Sequence, residues 1–344
     1  MKTRNITILG IASGLALSTG SLLAQSTAVT PPVGYRTETI QPGFNLIAPN
    51  LGNAVAASGA LESGAAASVT DAEASFTTSL PGAGEYVLKL TSGAGAGMAT
   101  VVTATSDTEL ATNDDLSSVI AGGETYEIRP SRTISDLFGA ANEAGLTEGN
   151  TNDTGADIVW VPDGAGGFTR LYYNGTAGAG FGAIGVGWKG ATSGDDDKSA
   201  EPVYFTDGIF VQRFGGTPLE VVFTGHVETT DSEVAVESGF NFTSRILPVD
   251  IALSDSGLEN ELAQGNTNDL AADLVWVPDG AGGYNRYYYN GTAGAGFGAI
   301  GVGWKGATSG DDDKSAELLT SGFVIERKGS ADMIKFVIPP SLDL

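Results

Sequence analysis

The chain lacks cysteine altogether, and histidine and positive charge are scarce. It has one histidine, and 17 Lys and Arg residues against 41 Asp and Glu residues, which gives a formal net charge of −24. Without cysteine, neither disulfide bonds nor thiolate chemistry is available. Because phosphate binding depends on clustered Lys and Arg, this charge excludes nucleic acid as a partner and disfavours anionic lipid surfaces.

The sequence also lacks a recognisable catalytic motif. The single histidine, His226, lies between Gly225 and Val227 in a strand-like run, and no nucleophile motif accompanies it. No glycine-rich loop opens a helix in the manner of a phosphate-binding loop. We therefore predict that the protein is not an enzyme and has no catalytic or cofactor-binding residue. A hydrolase with paired carboxylates stays as a third hypothesis, because only the separation of two acids in space decides it.

The first 24 residues have the pattern of a secretory signal peptide. Lys2 and Arg4 supply a positive start, residues 6–20 are mostly apolar, and Ala24 offers a small residue before a cleavage point. The glycines, serines and threonines within this stretch make it too polar for a membrane span of about 20 apolar residues. We predict an exported protein (extracellular, cell-surface or periplasmic) without membrane insertion after signal cleavage.

Glycine is abundant, and its distribution is typical of β-structure with many turns. The 50 glycines separate short runs such as residues 157–161 and 168–173, which flank a Pro-Asp-Gly-Ala-Gly-Gly turn. Residues 75–80, 86–91, 99–104 and 125–128 read as strands in the same way, and only residues 134–144 and 257–263 look like short helical turns. The pattern predicts an all-β fold of sandwich-like or barrel-like units.

A long segment of the chain occurs twice. Residues 149–201 align without gaps to residues 265–317 and differ at six positions, whereas the flanking residues correspond only weakly. One such weak correspondence links residues 43–45 to residues 239–241, both of which read Gly-Phe-Asn. We predict two related β units from an internal duplication. The first spans residues 25–227, with a β insertion at about residues 63–130, and the second spans residues 228–344.

Several motifs, taken in order, give the chain a resemblance to an uncharacterised family of exported β-rich proteins of Gram-negative bacteria. They are the segments at residues 86–93, 126–130, 133–138, 156–164 and 207–213, with the Tyr-Tyr-Asn run that ends at Asn174, and the later ones recur at residues 272–327. The resemblance implies export and β-structure. It implies no activity and no site residues, since the family has no established function.

The densest carboxylate cluster is an Asp-rich segment that is present in both copies. Alternate acids in it offer hard oxygen ligands, which Ca²⁺ prefers. The candidate calcium ligands are Asp195, Asp197, Glu201, Asp311, Asp313 and Glu317. The segment lacks the glycine and the spacing of an EF-hand loop, so the alternative is a solvated loop whose charges suppress aggregation.

Aromatic residues of the repeated block are candidates for ligand binding or for an interface. Aromatic rings suit carbohydrate, and they are equally common in strand cores. The candidates are Trp188, Trp304, Phe181, Phe297, Tyr172 and Tyr288. Residues 175–188 and 291–304 carry no charge and many glycines, which fits either an ordered loop or a surface for self-association.

These observations favour a non-enzymatic structural or interaction protein of the cell envelope or extracellular matrix. Its partner would be itself or an extracellular polymer, either a glycan or an envelope component. The alternative is a carbohydrate-binding β module, with Ca²⁺ as a possible brace for its loops.

Overall fold

The computed structural model describes residues 32–339 except residues 83, 181, 193, 297, 298, 309 and 321. The predicted signal peptide, residues 1–24, lies outside the described residues. Within the described part of the chain, no helix is long and apolar enough to cross a membrane. Strand residues far outnumber helical residues in this part of the chain, so the all-β prediction is confirmed.

The first half of the described chain, residues 32–227, has seventeen strands and two short helices. The strands are β1 Val33–Ile40, β2 Gly43–Ile47, β3 Ala57–Ala60, β4 Ser63–Ala65, β5 Ser68–Thr70, β6 Tyr86–Leu90, β7 Ala99–Ala104, β8 Glu109–Thr112, β9 Thr125–Pro130, β10 Arg132–Thr133, β11 Gly149–Asn150, β12 Ile158–Pro162, β13 Phe168–Thr176, β14 Gly187–Gly190, β15 Pro202–Val203, β16 Ile209–Arg213 and β17 Leu219–His226. The helices are α1 Phe76–Ser79 and α2 Ile134–Phe138.

The second half, residues 228–339, has ten described strands. They are β18 Ser232–Val236, β19 Gly239–Ser244, β20 Ile251–Ala252, β21 Gly265–Asn266, β22 Leu274–Pro278, β23 Tyr284–Thr292, β24 Gly303–Gly306, β25 Leu318–Leu319, β26 Gly322–Arg327 and β27 Asp332–Phe336. Two 3-10 helices, Leu253–Asp255 and Leu258–Asn260, take the place of α2.

The two halves contain six-stranded sheets with the same strand order. The first sheet runs β11-β13-β12-β16-β2, with β14 also paired to β13, and the second runs β21-β23-β22-β26-β19, with β24 also paired to β23. The β12–β13 and β22–β23 hairpins have equivalent registers, since Val159 faces Leu171 and Val275 faces Tyr287. A two-stranded ribbon (β1–β17 or β18–β27) accompanies each sheet and contributes to its core.

The insertion forms a separate sheet together with β3, which lies just before it in sequence. Its seven strands, in the order β3-β9-β6-β7-β8-β5-β4, enclose a separate apolar core. The strand prediction for residues 75–80 was wrong, because Phe76–Ser79 is a helical turn of which only Phe76 is buried. Lys89 on β6 attaches this sheet to the segment between the halves, since its Nζ donates to the Oγ1 of Thr230 at 2.9 Å and lies 3.2 Å from Glu228.

The halves belong to one compact unit and meet at the ends of β2, β16, β19 and β26. The amide of Gly208 donates to the carbonyl of Phe242 at 3.1 Å, and the amide of Ser244 donates to the carbonyl of Thr206 at 2.8 Å. A Cβ at Gly322 would stand 3.0 Å from the carbonyl group of Ile47, so only glycine permits this approach without displacement. Two clefts lie at this contact between the halves.

Candidate functional site

The predicted aromatic candidates lie mainly in the interior. Trp188 and Trp304 are 0% and 1% exposed and fill the two sheet cores. Tyr172 and Tyr288 are equally buried, because the loops that begin at Gly149 and Gly265 cover them. These four rings therefore form no exposed row. The other two candidates, Phe181 and Phe297, lie outside the described residues.

The first acid of each Asp-rich segment is held by a lysine. Asp195 lies 2.8 Å from Lys189 and accepts the amide of Gly185 at 2.6 Å. Both contacts favour the charged carboxylate and lower the pKa of Asp195. Asp311 has the same arrangement with Lys305, at 2.8 Å. Each pair joins the Asp-rich segment to the start of β14 or β24.

The remaining candidate calcium ligands also have protein partners. Asp197 and Asp313 accept the amides of Ser199 and Ser315, each at 2.9 Å. Glu201 and Glu317 pair with the lysines three positions before them, at 3.2 and 3.3 Å. In the described part of the chain, no group of three or more Asp, Glu or His side chains is placed to hold a metal ion. Calcium binding stays a prediction.

Buried asparagines organise the loops of the repeated block. Asn174 accepts the amide of Thr151 at 2.7 Å and donates to the carbonyls of Thr176 and Gly185, both at 2.8 Å. Asn290 makes the equivalent bonds in the second half. Loss of either asparagine would leave several of these backbone groups unpaired, and an unpaired buried polar group is costly.

Two clefts lie where the halves meet, and they are built in the same way. The larger cleft, of about 630 Å³, lies between the β1–β2 corner of the first half and the β22–β23 loop of the second. The smaller cleft, of about 250 Å³, lies between the β18–β19 corner of the second half and the β12–β13 loop of the first. Each cleft thus combines one glycine-rich loop with one strand corner from the other half.

The glycine-rich loops have a fixed conformation. Asp163 Oδ1 accepts the amides of Ala165 and Gly167 at 2.9 and 2.8 Å, while Gly164 and Gly166 adopt positive φ values of 71° and 85°. Asp279 forms the equivalent turn, and its two backbone donors lower the pKa of its carboxyl group. The Pro-Asp-Gly-Ala-Gly-Gly sequence therefore dictates the shape of one wall of each cleft.

The strand corners are held by a matching pair of asparagines. Asn45 accepts the amide of Gln41 at 2.8 Å and returns a bond to the same residue's carbonyl at 2.7 Å. Asn241 makes the same two bonds with Glu237, each at 2.7 Å. The asparagine of each Gly-Phe-Asn motif therefore acts as a clamp, since its two hydrogen bonds hold the corner closed. The phenylalanine of the same motif is exposed.

Each corner presents a phenylalanine to solvent. Phe44 is 55% exposed and packs on Trp160 with ring centroids 6.0 Å apart, while Phe240 is 58% exposed and packs on Trp276 at 5.6 Å. An arginine covers each tryptophan, at 5.3 Å in the first half and 5.2 Å in the second. The rings lie on the outer face of each sheet, because side chains alternate along a strand and the other face fills the core.

Aromatic rings narrow the smaller cleft, where Phe210 packs on both Phe168 and Phe242, at 5.8 and 5.1 Å. In the smaller cleft, Phe168 packs edge-on against Phe242 with centroids 5.3 Å apart. The equivalent lining residues of the larger cleft are Tyr284 and Leu46. Because leucine is smaller than phenylalanine and offers no ring, this cleft stays open.

The carboxylates of the two clefts also differ in their surroundings. In the larger cleft, Glu38 pairs with Arg36, and Asp279 accepts backbone amides. In the smaller cleft, burial without a cationic partner raises the pKa of Asp207 to about 7. The Thr206 hydroxyl, at 3.3 Å, is its side-chain hydrogen-bond partner.

Sequence reasoning missed the cleft residues Phe44, Phe240 and Tyr284. The Gly-Phe-Asn motif occurs in both halves and marks Phe44 and Phe240 as equivalent positions. It does not show that their side chains are exposed. The clefts arise only when the halves pair, which a local pattern cannot reveal. Comparison with known proteins adds nothing further, since no family model, no curated protein and no solved structure matches this chain.

Proposed function

We propose that this chain is a non-enzymatic exported interaction protein of the cell envelope or extracellular matrix, and that the two clefts bind its partner. The observation that carries the proposal is the pair of exposed rings, Phe44 and Phe240, each held beside a rigid glycine-rich loop of the other half. Exposed aromatic residues on a fixed framework are typical of binding surfaces.

Export and the class of partner rest on the sequence. The predicted signal peptide at residues 1–24 and the resemblance to exported β-rich proteins support a location outside the cytoplasm. The net charge of −24 keeps the chain soluble there and disfavours polyanionic partners. The partner is therefore an extracellular polymer or a second copy of the chain, and not nucleic acid.

The test compares wild type with a double variant, Phe44→Ala with Phe240→Ala, and with Leu270→Ala as a control. Leu270 is 82% exposed and does not line either cleft. Sedimentation with insoluble cellulose, chitin and peptidoglycan measures polymer binding, and light scattering measures self-association.

We expect wild type and Leu270→Ala to bind a polymer or to self-associate, and the double variant to lose at least 90% of that binding, since hot-spot truncations cost about 2 kcal/mol or more. Equal binding by the double variant would rule out the clefts as the binding sites. A wild-type protein that neither sediments nor associates would also contradict the proposal.

An acidic hydrolase is the second candidate, and one observation favours it. Asp207 has a raised pKa and shares the smaller cleft with Glu237, as a general acid near a second carboxylate would. Reducing-sugar release from the same polymers separates the candidates. We expect no release, whereas release that disappears in Asp207→Asn would support the hydrolase.

A further inference from the structure

We infer that the larger cleft binds a neutral, hydroxyl-rich glycan chain. The inference rests on the proposal that the clefts are the partner sites, and it names the chemical class of the ligand. It follows from the size of the cleft, from the rings on its two walls, from its charge and from its contrast with the smaller cleft.

The size of the larger cleft is suitable for a short oligosaccharide segment. Ligand sites have volumes of about 300–1,000 Å³. The larger cleft, at about 630 Å³, falls within this range, and the smaller one, at about 250 Å³, falls below it. The larger cleft therefore has the room that an oligosaccharide segment needs.

The walls of the larger cleft offer rings from both halves. Phe44 is 55% exposed on one wall and Tyr284 is 36% exposed on the other. Flat apolar rings match the C–H faces of a pyranose, while its hydroxyl edges need hydrogen-bond partners. Exposed polar groups are present for these edges in Thr39 and Gln41 and in the backbone of the loop at residues 280–283.

The charge of the larger cleft argues for a neutral ligand. Its described lining residues include two carboxylates, Glu38 and Asp279, and no lysine or arginine. Acidic polysaccharides, nucleic acids and phosphate-bearing lipids would meet repulsion there, whereas a neutral glycan would not.

The site is rigid before any ligand arrives. The Asn45 clamp fixes the corner that carries Phe44, and the Asp279 turn fixes the loop that precedes Tyr284. Little conformational entropy remains to be lost on binding, which favours measurable affinity for a weakly interacting sugar.

The smaller cleft supplies an internal comparison. It has the same clamp, the same type of loop and an exposed ring, but the Phe168–Phe242 contact fills it. The ring at position 242 therefore contributes to the narrowness of the smaller cleft. We expect one glycan per protein molecule.

The test uses cellohexaose, chitohexaose, xylohexaose and laminarihexaose as neutral probes and a galacturonic acid hexamer as the anionic probe. Isothermal titration gives the affinity and the stoichiometry. The variants are Phe44→Ala and Tyr284→Ala in the larger cleft, with Leu270→Ala, at an exposed position that lines neither cleft, as the control. Thermal unfolding establishes that each variant is folded.

We expect at least one neutral probe to bind with a 1:1 stoichiometry and the anionic probe to bind at least tenfold more weakly. Phe44→Ala and Tyr284→Ala should each weaken binding at least tenfold, while Leu270→Ala leaves it unchanged. The variant Phe242→Leu opens the smaller cleft and should raise the stoichiometry towards two.

Three outcomes would overturn the inference: no neutral probe binds at millimolar concentration, the anionic probe binds more tightly, or folded Phe44→Ala and Tyr284→Ala bind as wild type does. If the inference fails while the Phe44→Ala, Phe240→Ala double variant still abolishes polymer sedimentation or self-association, the proposed function stands and only the glycan class falls. If that double variant also has no effect, both fall.

Discussion

At the scale of single residues, the features that the two halves share lie mainly in the interior. Asp157 is fully buried and lies 2.6 Å from Arg213, and Asp273 lies 2.7 Å from Arg327 in the same way. Each aspartate also accepts backbone amides from the turn that follows its arginine. The pair therefore joins β12 to the β16–β17 hairpin, and its twin joins β22 to the β26–β27 hairpin.

Removal of either aspartate should be strongly destabilising. We expect Asp157→Ala to lower the free energy of unfolding by about 3–5 kcal/mol, because a buried arginine loses its counter-ion and buried amides lose their acceptor. Asp273→Ala should cost less, because Arg327 keeps Asp332 at 2.8 Å as a second carboxylate partner. Urea denaturation measures this, with the exposed Asp196→Ala as a control expected within about 0.5 kcal/mol of wild type. A loss below about 1 kcal/mol would show that the pair is not structural.

Asp207 predicts a pH dependence of stability. Its pKa is about 7 in the folded protein, above the ordinary value for aspartate, so the folded state holds the proton more tightly than the unfolded state does. The stability that this group contributes is complete below about pH 4 and is lost as the pH rises through 7.

An asparagine at position 207 stays neutral at every pH. We therefore expect Asp207→Asn to be more stable than wild type by about 1–2 kcal/mol at pH 8, a figure discounted because Asp207 as a whole residue is only partly buried, and equal to wild type at pH 4. Thermal unfolding at both pH values checks this. A difference that does not change with pH would refute the assignment.

At the scale of elements, the sequence predicts the hairpins well. The Pro-Asp-Gly-Ala-Gly-Gly runs form the turns expected of them, and the β insertion has its own sheet. Residues 75–80 were mispredicted, because four residues of mixed character carry too little periodicity to distinguish a strand from a helical turn. The predicted aromatic candidates Trp188 and Trp304 are core residues, and alternation alone could not say which strand face would be buried.

The sequence could not predict the clefts either, because a local pattern does not show which distant strands pair. Phe44 lies on β2, whose partner β16 is far away in sequence, and the opposite wall comes from the second half. Non-local pairing decides the exposure of this ring. The near-identical block contributes only the glycine-rich loops to the clefts, while the diverged corners contribute Leu46 in one and Phe242 in the other.

At the scale of the whole molecule, the pairing of the halves creates the sites. Gly208 and Gly322 allow the backbones to meet, and each half then supplies one wall to each cleft. A half on its own would present a corner or a loop without its opposite wall. The binding property thus belongs to the paired halves.

Hydrogen–deuterium exchange, with and without the polymer or oligosaccharide that the protein binds, tests this claim most directly. We predict slower exchange on binding at residues 38–47 and 278–284, which line the larger cleft, and no change in the loops at residues 175–186 and 291–302. Protection confined to those loops, or to the insertion sheet, would contradict the account and place the binding surface elsewhere.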